Sequence, residues 1–121
     1  MEYKELDVWL NSRKLVKLIY DETKVLPEYE KYGLTNQIRR CAVSIPSNIA
    51  EGCGRQHRKD SIHFFYISRG SIYELETQLF LCLDLDYVSQ SSLNSCLEQL
   101  NKSKMLLNGF INYFKSLDNT K

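Results

Sequence analysis

Apolar residues recur every three or four positions along almost the whole chain, and the strict alternation of a half-buried strand is nearly absent. The pattern predicts four helices. Asp7, just after Leu6, suits the N-cap of the first. Trp9, Val16, Ile19, Thr23 and Leu26 supply its apolar stripe, and Pro27 ends it, because a proline disfavours helix in the residue before it. Glu28 to Leu34 reads as a loop with Gly33 as a turn residue. Thr35 is the expected N-cap of a second helix ending at Gly52 or Gly54. Its core stripe is Ile38, Ala42, Ile45 and Ile49. Pro46 falls inside it and either kinks or splits the helix, having no N–H for the carbonyl of Ala42.

A third segment, about Arg58 to Leu85, places Phe64, Phe65, Ser68, Ile72, Leu75, Leu79 and Leu83 on one broad face. The fourth starts in the cluster Ser89-Gln90-Ser91-Ser92 and carries Leu93, Leu97, Leu100, Leu107, Phe110, Ile111, Phe114 and Leu117. Asp118 to Lys121 is expected to fray. Four amphipathic helices on short connections predict an all-α, antiparallel up-down four-helix bundle with a Pro-kinked second helix, one domain over residues 1–121.

The second helix has more than one marked face. At about 100° per residue, Ile38, Ala42, Ile45 and Ile49 fall within about 60°. Gln37, Arg40, Ser44, Asn48, Glu51 and Arg55 form a polar stripe about 80° wide. Ser44, Asn48 and Glu51 are its expected structural members, because Ser and Asn inside a helix are favoured mainly where they hydrogen-bond. Val43, Ala50 and Cys53, with Pro46 beside them, fall nearly opposite the core. Small apolar residues there are either ordinary exposed groups or, the preferred reading, a second buried contact, most simply with another copy of the chain.

Composition narrows the function classes. The chain has 121 residues, 43% hydrophobic and 26% charged, with 16 Lys plus Arg against 15 Asp plus Glu. Disorder is excluded, and binding to nucleic acid through bulk charge with it. The charge is nonetheless polarised. Residues 33–60 hold Arg39, Arg40, Arg55, Arg58 and Lys59 against Glu51 and Asp60, net +3. Residues 61–88 hold Arg69 against Glu74, Glu76, Asp84 and Asp86, net −3. The five cations of the first group are the candidate phosphate contacts.

The charged start, Met1-Glu2-Tyr3-Lys4-Glu5, lacks a secretory signal, and apolar runs such as Leu79 to Leu83 are too short for a bilayer, so a cytoplasmic protein with no membrane role is expected. Cys41, Cys53, Cys82 and Cys96 form no CxxC pair. An even count suits two disulfides in a secreted chain, whereas helical cysteines without a signal suit reduced thiols acting as small apolar residues. His57 and His63 are six apart and share no helix face, so no metal site is expected. No ExxH, HExxH, P-loop or GxSxG motif is present, which removes the di-iron reading of a four-helix bundle. No cofactor and no small-molecule substrate is expected, and no catalytic residue stands out.

The run Gln37-Ile38-Arg39-Arg40-Cys41-Ala42-Val43-Ser44-Ile45-Pro46-Ser47-Asn48-Ile49-Ala50-Glu51-Gly52, followed by Gly54-Arg55, resembles the signature of bacterial four-helix-bundle proteins encoded by intervening sequences of 23S rRNA genes. Leu6-Asp7-Val8-Trp9 is similar to that family's opening helix, and Gly70-Ser71-Ile72-Tyr73-Glu74-Leu75-Glu76 to its third-helix motif. Cys41 and Ser68 stand where that family often has Ala. The resemblance implies an up-down bundle assembling as a ring, a homopentamer, without a known enzymatic activity. Related bundles are accessory proteins of diversity-generating retroelements, in which a basic pentamer engages a reverse transcriptase and nucleic acid. The expected function is a non-enzymatic ring that binds structured RNA or a ribonucleoprotein; the alternative is a protein-interaction scaffold with no nucleic-acid role.

Overall fold

In a computed structural model, which describes residues 2–118, the chain folds as α1 (Asp7–Glu22), α2 (Leu34–Cys53), α3 (Arg58–Asp84) and α4 (Gln90–Asp118), with short 3₁₀ turns at Tyr3–Glu5, Thr23–Val25 and Glu28–Glu30. No strand occurs among the described residues. The helices form a four-helix bundle: α2 packs on α3, α3 on α4, α4 on α1 and α1 on α2. The expected all-α bundle is the observed one. Residues 119–121 of the tail expected to fray lie outside the described residues, and α4 continues to Asp118.

The core is built as the period requires. Ile38, Ala42, Ile45 and Ile49 of α2 are wholly buried, and Cys41 nearly so. They face Phe65, Ile72, Leu75 and Leu79 of α3, and Leu93, Leu100, Leu107 and Ile111 of α4 complete the interior. Phe65, Phe110 and Phe114 stack with centroids 4.9 to 5.0 Å apart, a range in which aromatic pairs add to simple burial.

Ile19, Thr23 and Leu26 are buried as expected, and only the first half of α1 is turned by about one residue from its expected face. Val8, Ser12, Leu15 and Ile19 are the buried ridge, while Trp9 and Val16 are only half-buried. Trp9 packs against the margin of the core, edge-on to Tyr3 at 5.2 Å and with the Arg13 guanidinium 4.9 Å over its ring. Phe64 and Leu83 of α3 are likewise half-buried at the margin of their face.

Two expected caps are placed differently. Asp7 is the first helical residue and Leu6 the cap position, without a side-chain bond. Thr35 lies inside the first turn of α2, whose cap position is Gly33. There the Glu30 carboxylate accepts the Leu34 N–H at 3.2 Å, and its other oxygen accepts the Tyr87 hydroxyl at 2.7 Å. One acid from the preceding loop thus satisfies an unpaired helix-start donor and ties the α1–α2 loop to the α3–α4 loop.

The end of α2 requires glycine for a different reason. A Cβ on Gly52 would run into the Phe65 ring and stand 2.9 Å from the Ser61 carbonyl. Absence of a side chain is what lets α2 and α3 meet this closely at their shared end. Gly70 is the reverse case. It is exposed, and a Cβ there would meet nothing within 4 Å, so no close helix approach inside the protomer requires it.

Candidate functional site

Helix α2 runs unbroken through Pro46. Side chains bond the backbone carbonyls on both sides of the missing N–H. Ser44 donates to Cys41 O at 2.6 Å, Ser47 to Val43 O at 2.8 Å, and Asn48 Nδ2 to Ser44 O at 2.8 Å. Ser44 and Asn48 are therefore engaged within α2 itself. Glu51 Oε1 takes a 2.6 Å bond from Arg55, an i,i+4 pair at the exposed end of the same stripe.

Each flank of α2 borders a groove. Between α2 and α3 lies an open cleft of about 400 Å³ lined by Asn36, Gln37, Arg40, Cys41, Ser44, Ser71 and Glu74. The Cys41 thiol points at the Ser71 carbonyl, 3.0 Å away, with Glu74 Oε2 at 3.6 Å. Burial, then the Glu74 charge, pushes this thiol up to about 12. It stays protonated and is a poor nucleophile. Burial also raises Cys82 and Cys96 to about 11, and Cys53 above its ordinary value. All four cysteines are free thiols.

The second groove, about 310 Å³, lies between α1 and α2 and is lined by Arg13, Val16, Lys17, Tyr20, Val43, Pro46 and Ser47. Val43 is 40% exposed there and Pro46 half-buried. Ala50 and Cys53 are half-buried, and Cys53 packs on the core, so this face is not opposite the interior as helical angles alone suggest. The neighbouring α1 and the Tyr3–Glu5 turn both pack against α2 and turn the face into the wall of a groove.

The five candidate phosphate contacts divide into two groups. Arg39 and Arg40 lie early in α2; Arg55 follows fifteen residues after Arg40, a rise of about 22 Å. Arg39 is committed inside the protomer: Nε donates to Thr23 Oγ1 at 3.1 Å, Nη2 to Tyr20 O at 3.3 Å, and the guanidinium sits 4.8 Å over the Tyr20 ring. It closes the C-terminal end of α1, where a cation is favoured. Arg40 is exposed at the α2–α3 cleft. Arg55 stacks 4.5 Å over Phe64 while pairing with Glu51. Arg58 donates to Leu117 O at 3.0 Å, and Lys59 is exposed beside it. Arg55, Arg58 and Lys59 thus share the α2–α3 end of the bundle, with exposed His57 between them.

Sequence reading missed the bonding of Arg39, although its position sixteen residues after Thr23 on an antiparallel neighbour makes the contact reachable. It also missed the contribution of α1 to the Val43 groove, which no single-helix projection reveals. Among the described residues no group of three or more His, Cys, Asp or Glu is placed to hold a metal ion, and no helix is long and apolar enough to cross a membrane.

A family model described as 23S rRNA-intervening sequence protein matches residues 4–109. No curated protein matches the chain. Among solved structures, one similar chain is a protein of unknown function from the S23 ribosomal protein family of Bacteroides thetaiotaomicron VPI-5482. It is 27% identical with a TM-score of 0.79, over 86% of this chain and 97% of that one.

Proposed function

Since the chain belongs to the 23S rRNA-intervening sequence protein family, we propose that it is a non-enzymatic, ring-forming protein, a homopentamer, that binds structured RNA or a ribonucleoprotein. The observation that carries the RNA reading is the grouping of Arg55, Arg58 and Lys59 at one end of the bundle, all exposed. A ring of identical protomers repeats that group around one rim, and such repetition gives a nearly neutral chain a broad cationic surface. Arg40, exposed at the α2–α3 cleft, adds a further cation. Self-assembly is supported by the open α1–α2 groove, where Val43 and Pro46 keep apolar surface toward solvent.

The test is binding of a labelled RNA hairpin across a salt series. Affinity should fall with added salt, and replacing Arg55 and Arg58 by Ala should flatten the log–log slope by about one per lost phosphate contact. Affinity indifferent to ionic strength, or to both replacements, refutes RNA binding. The net charge of +1 favours a second reading, a protein-interaction scaffold without nucleic acid. Salt-sensitive RNA binding that depends on Arg55 and Arg58 would count against it.

A further inference from the structure

Apolar side chains of α3 extend well beyond its buried face, interspersed with polar ones such as His63, Glu74 and Thr77. Beyond its buried ridge, Tyr66, Ile67, Tyr73, Phe80 and Leu81 are each 38 to 49% exposed. Exposed apolar side chains gathered on one helix, as distinct from scattered single ones, mark a surface that makes a contact. Gly70 sits at the middle of the outward face, with Tyr66 and Ile67 one turn before it and Tyr73 and Glu74 one turn after. A glycine inside a helix is unfavourable relative to alanine, and here the protomer offers it no compensating contact, because a Cβ would meet open space. Close approach of another helix supplies that reason.

Charge identifies what approaches. Residues 61–88 are the acidic part of the chain, and Glu74 is exposed there, its carboxylate beside the Cys41 thiol at the edge of the α2–α3 cleft that Arg40 also lines. The α1–α2 groove is lined by the apolar Val16, Val43 and Pro46 together with the cations Arg13, stacked over Trp9, and Lys17, paired with Asp21. A second cationic surface follows on α1, where Leu10 and Lys14 adjoin Arg13 and Lys17.

We propose that the outward face of α3, centred on Gly70, docks into the α1–α2 groove of a second copy of this chain. This rests on the self-assembly proposed above and names the two surfaces that meet. Because the surfaces differ, the contact is head-to-tail. Each protomer then keeps one unused surface of each kind, and addition continues until the rotation closes a ring.

Sedimentation of the full chain and its variants tests the pairing. Gly70→Leu has room in the protomer and should keep full helicity by circular dichroism yet sediment as single protomers. Val43→Glu should do the same from the groove side. Mixed together, the two variants have one intact surface each and should form a 1:1 dimer and nothing larger. Glu74→Lys should loosen the wild-type assembly, and adding Arg13→Glu in the same chain should restore it. Wild-type sedimentation of both Gly70→Leu and Glu74→Lys overturns the pairing while leaving assembly intact. A mixture that stays monomeric, or grows past a dimer, also overturns it. A wild-type chain that sediments as a single protomer overturns the assembly reading itself.

Discussion

The wholly buried Ser68 hydroxyl donates to the Ile45 carbonyl at 2.9 Å, joining α3 to α2 at the residue that precedes Pro46. Together with the Cys41 thiol on the Ser71 carbonyl, it is one of the side-chain bonds that tie α3 to α2 across a largely apolar seam. Ser68→Ala removes the donor and leaves a small residue in its place. We expect a loss of about 1 kcal/mol, the usual net worth of one such bond, read as a lower urea midpoint with unchanged slope. Ser68→Val, which also overfills the site, should cost more.

Gly52→Ala should be far more damaging than its size suggests. The added methyl meets an aromatic ring that is itself wedged between Phe110 and Phe114, and on its other side the Ser61 carbonyl. Neither neighbour can withdraw cheaply. A loss of about 1 to 3 kcal/mol is expected for such overpacking, whereas Gly70→Ala meets nothing in the protomer, gains helix propensity and should cost the protomer no stability. Thermal melts of the two variants side by side check the contrast.

Arg39 and Arg40 are adjacent in sequence and should behave oppositely. Arg39→Ala removes two hydrogen bonds and a ring contact at the end of α1, and should cost about 1 to 2 kcal/mol of stability. Arg40→Ala should leave stability within about 0.5 kcal/mol and act, if at all, on RNA affinity. Urea titration together with hairpin binding separates the two effects.

The buried thiols make alkaline pH destabilising. Their ordinary value is 9.0, whereas in the fold Cys41 is pushed to about 12 and Cys82 and Cys96 to about 11. Above pH 9 the unfolded chain loses these protons while the folded chain keeps them. The unfolded state then binds fewer protons, and stability falls with rising pH until the folded thiols ionise near 11 to 12. Urea midpoints between pH 7 and 10.5 should decline, and a variant with Cys82→Ala and Cys96→Ala should decline less steeply from its own starting value. A disulfide-exchange reagent at pH 8 should titrate the folded protein slowly and the denatured protein at once.

The sequence made the helices legible because periodicity is a property of each segment alone. Ile38, Ala42, Ile45 and Ile49 needed nothing but a helical projection to be placed inside. Features that depend on two segments were not legible in that way. Thr35 looks like a cap, but the carboxylate that serves α2 comes from Glu30, four residues before Leu34 and in a loop. Trp9 has the size and spacing of a core residue, but the turn at Tyr3–Glu5 gives it an edge-on partner outside the ridge. Gly52 and Gly70 look alike on paper, and only the position of Phe65 separates them. On a helical projection of α2 alone the Val43 face points away from the protein; α1 beside it makes it the wall of a groove. Arg39 reads as one more surface cation until the end of α1 arrives to take its donors.

The closing of the bundle by α4 against α1 and α3 has a consequence for synthesis. The last wall of the interior is encoded by the final quarter of the chain, from Gln90 onward. Until that stretch clears the exit tunnel, Phe65 lacks Phe110 and Phe114 and α1 lacks its α4 neighbour, and the nascent three-helix intermediate presents an oily flank to its surroundings. Chaperone occupancy on translating ribosomes should therefore persist late and fall only when Phe110 and Phe114 have emerged to seal it.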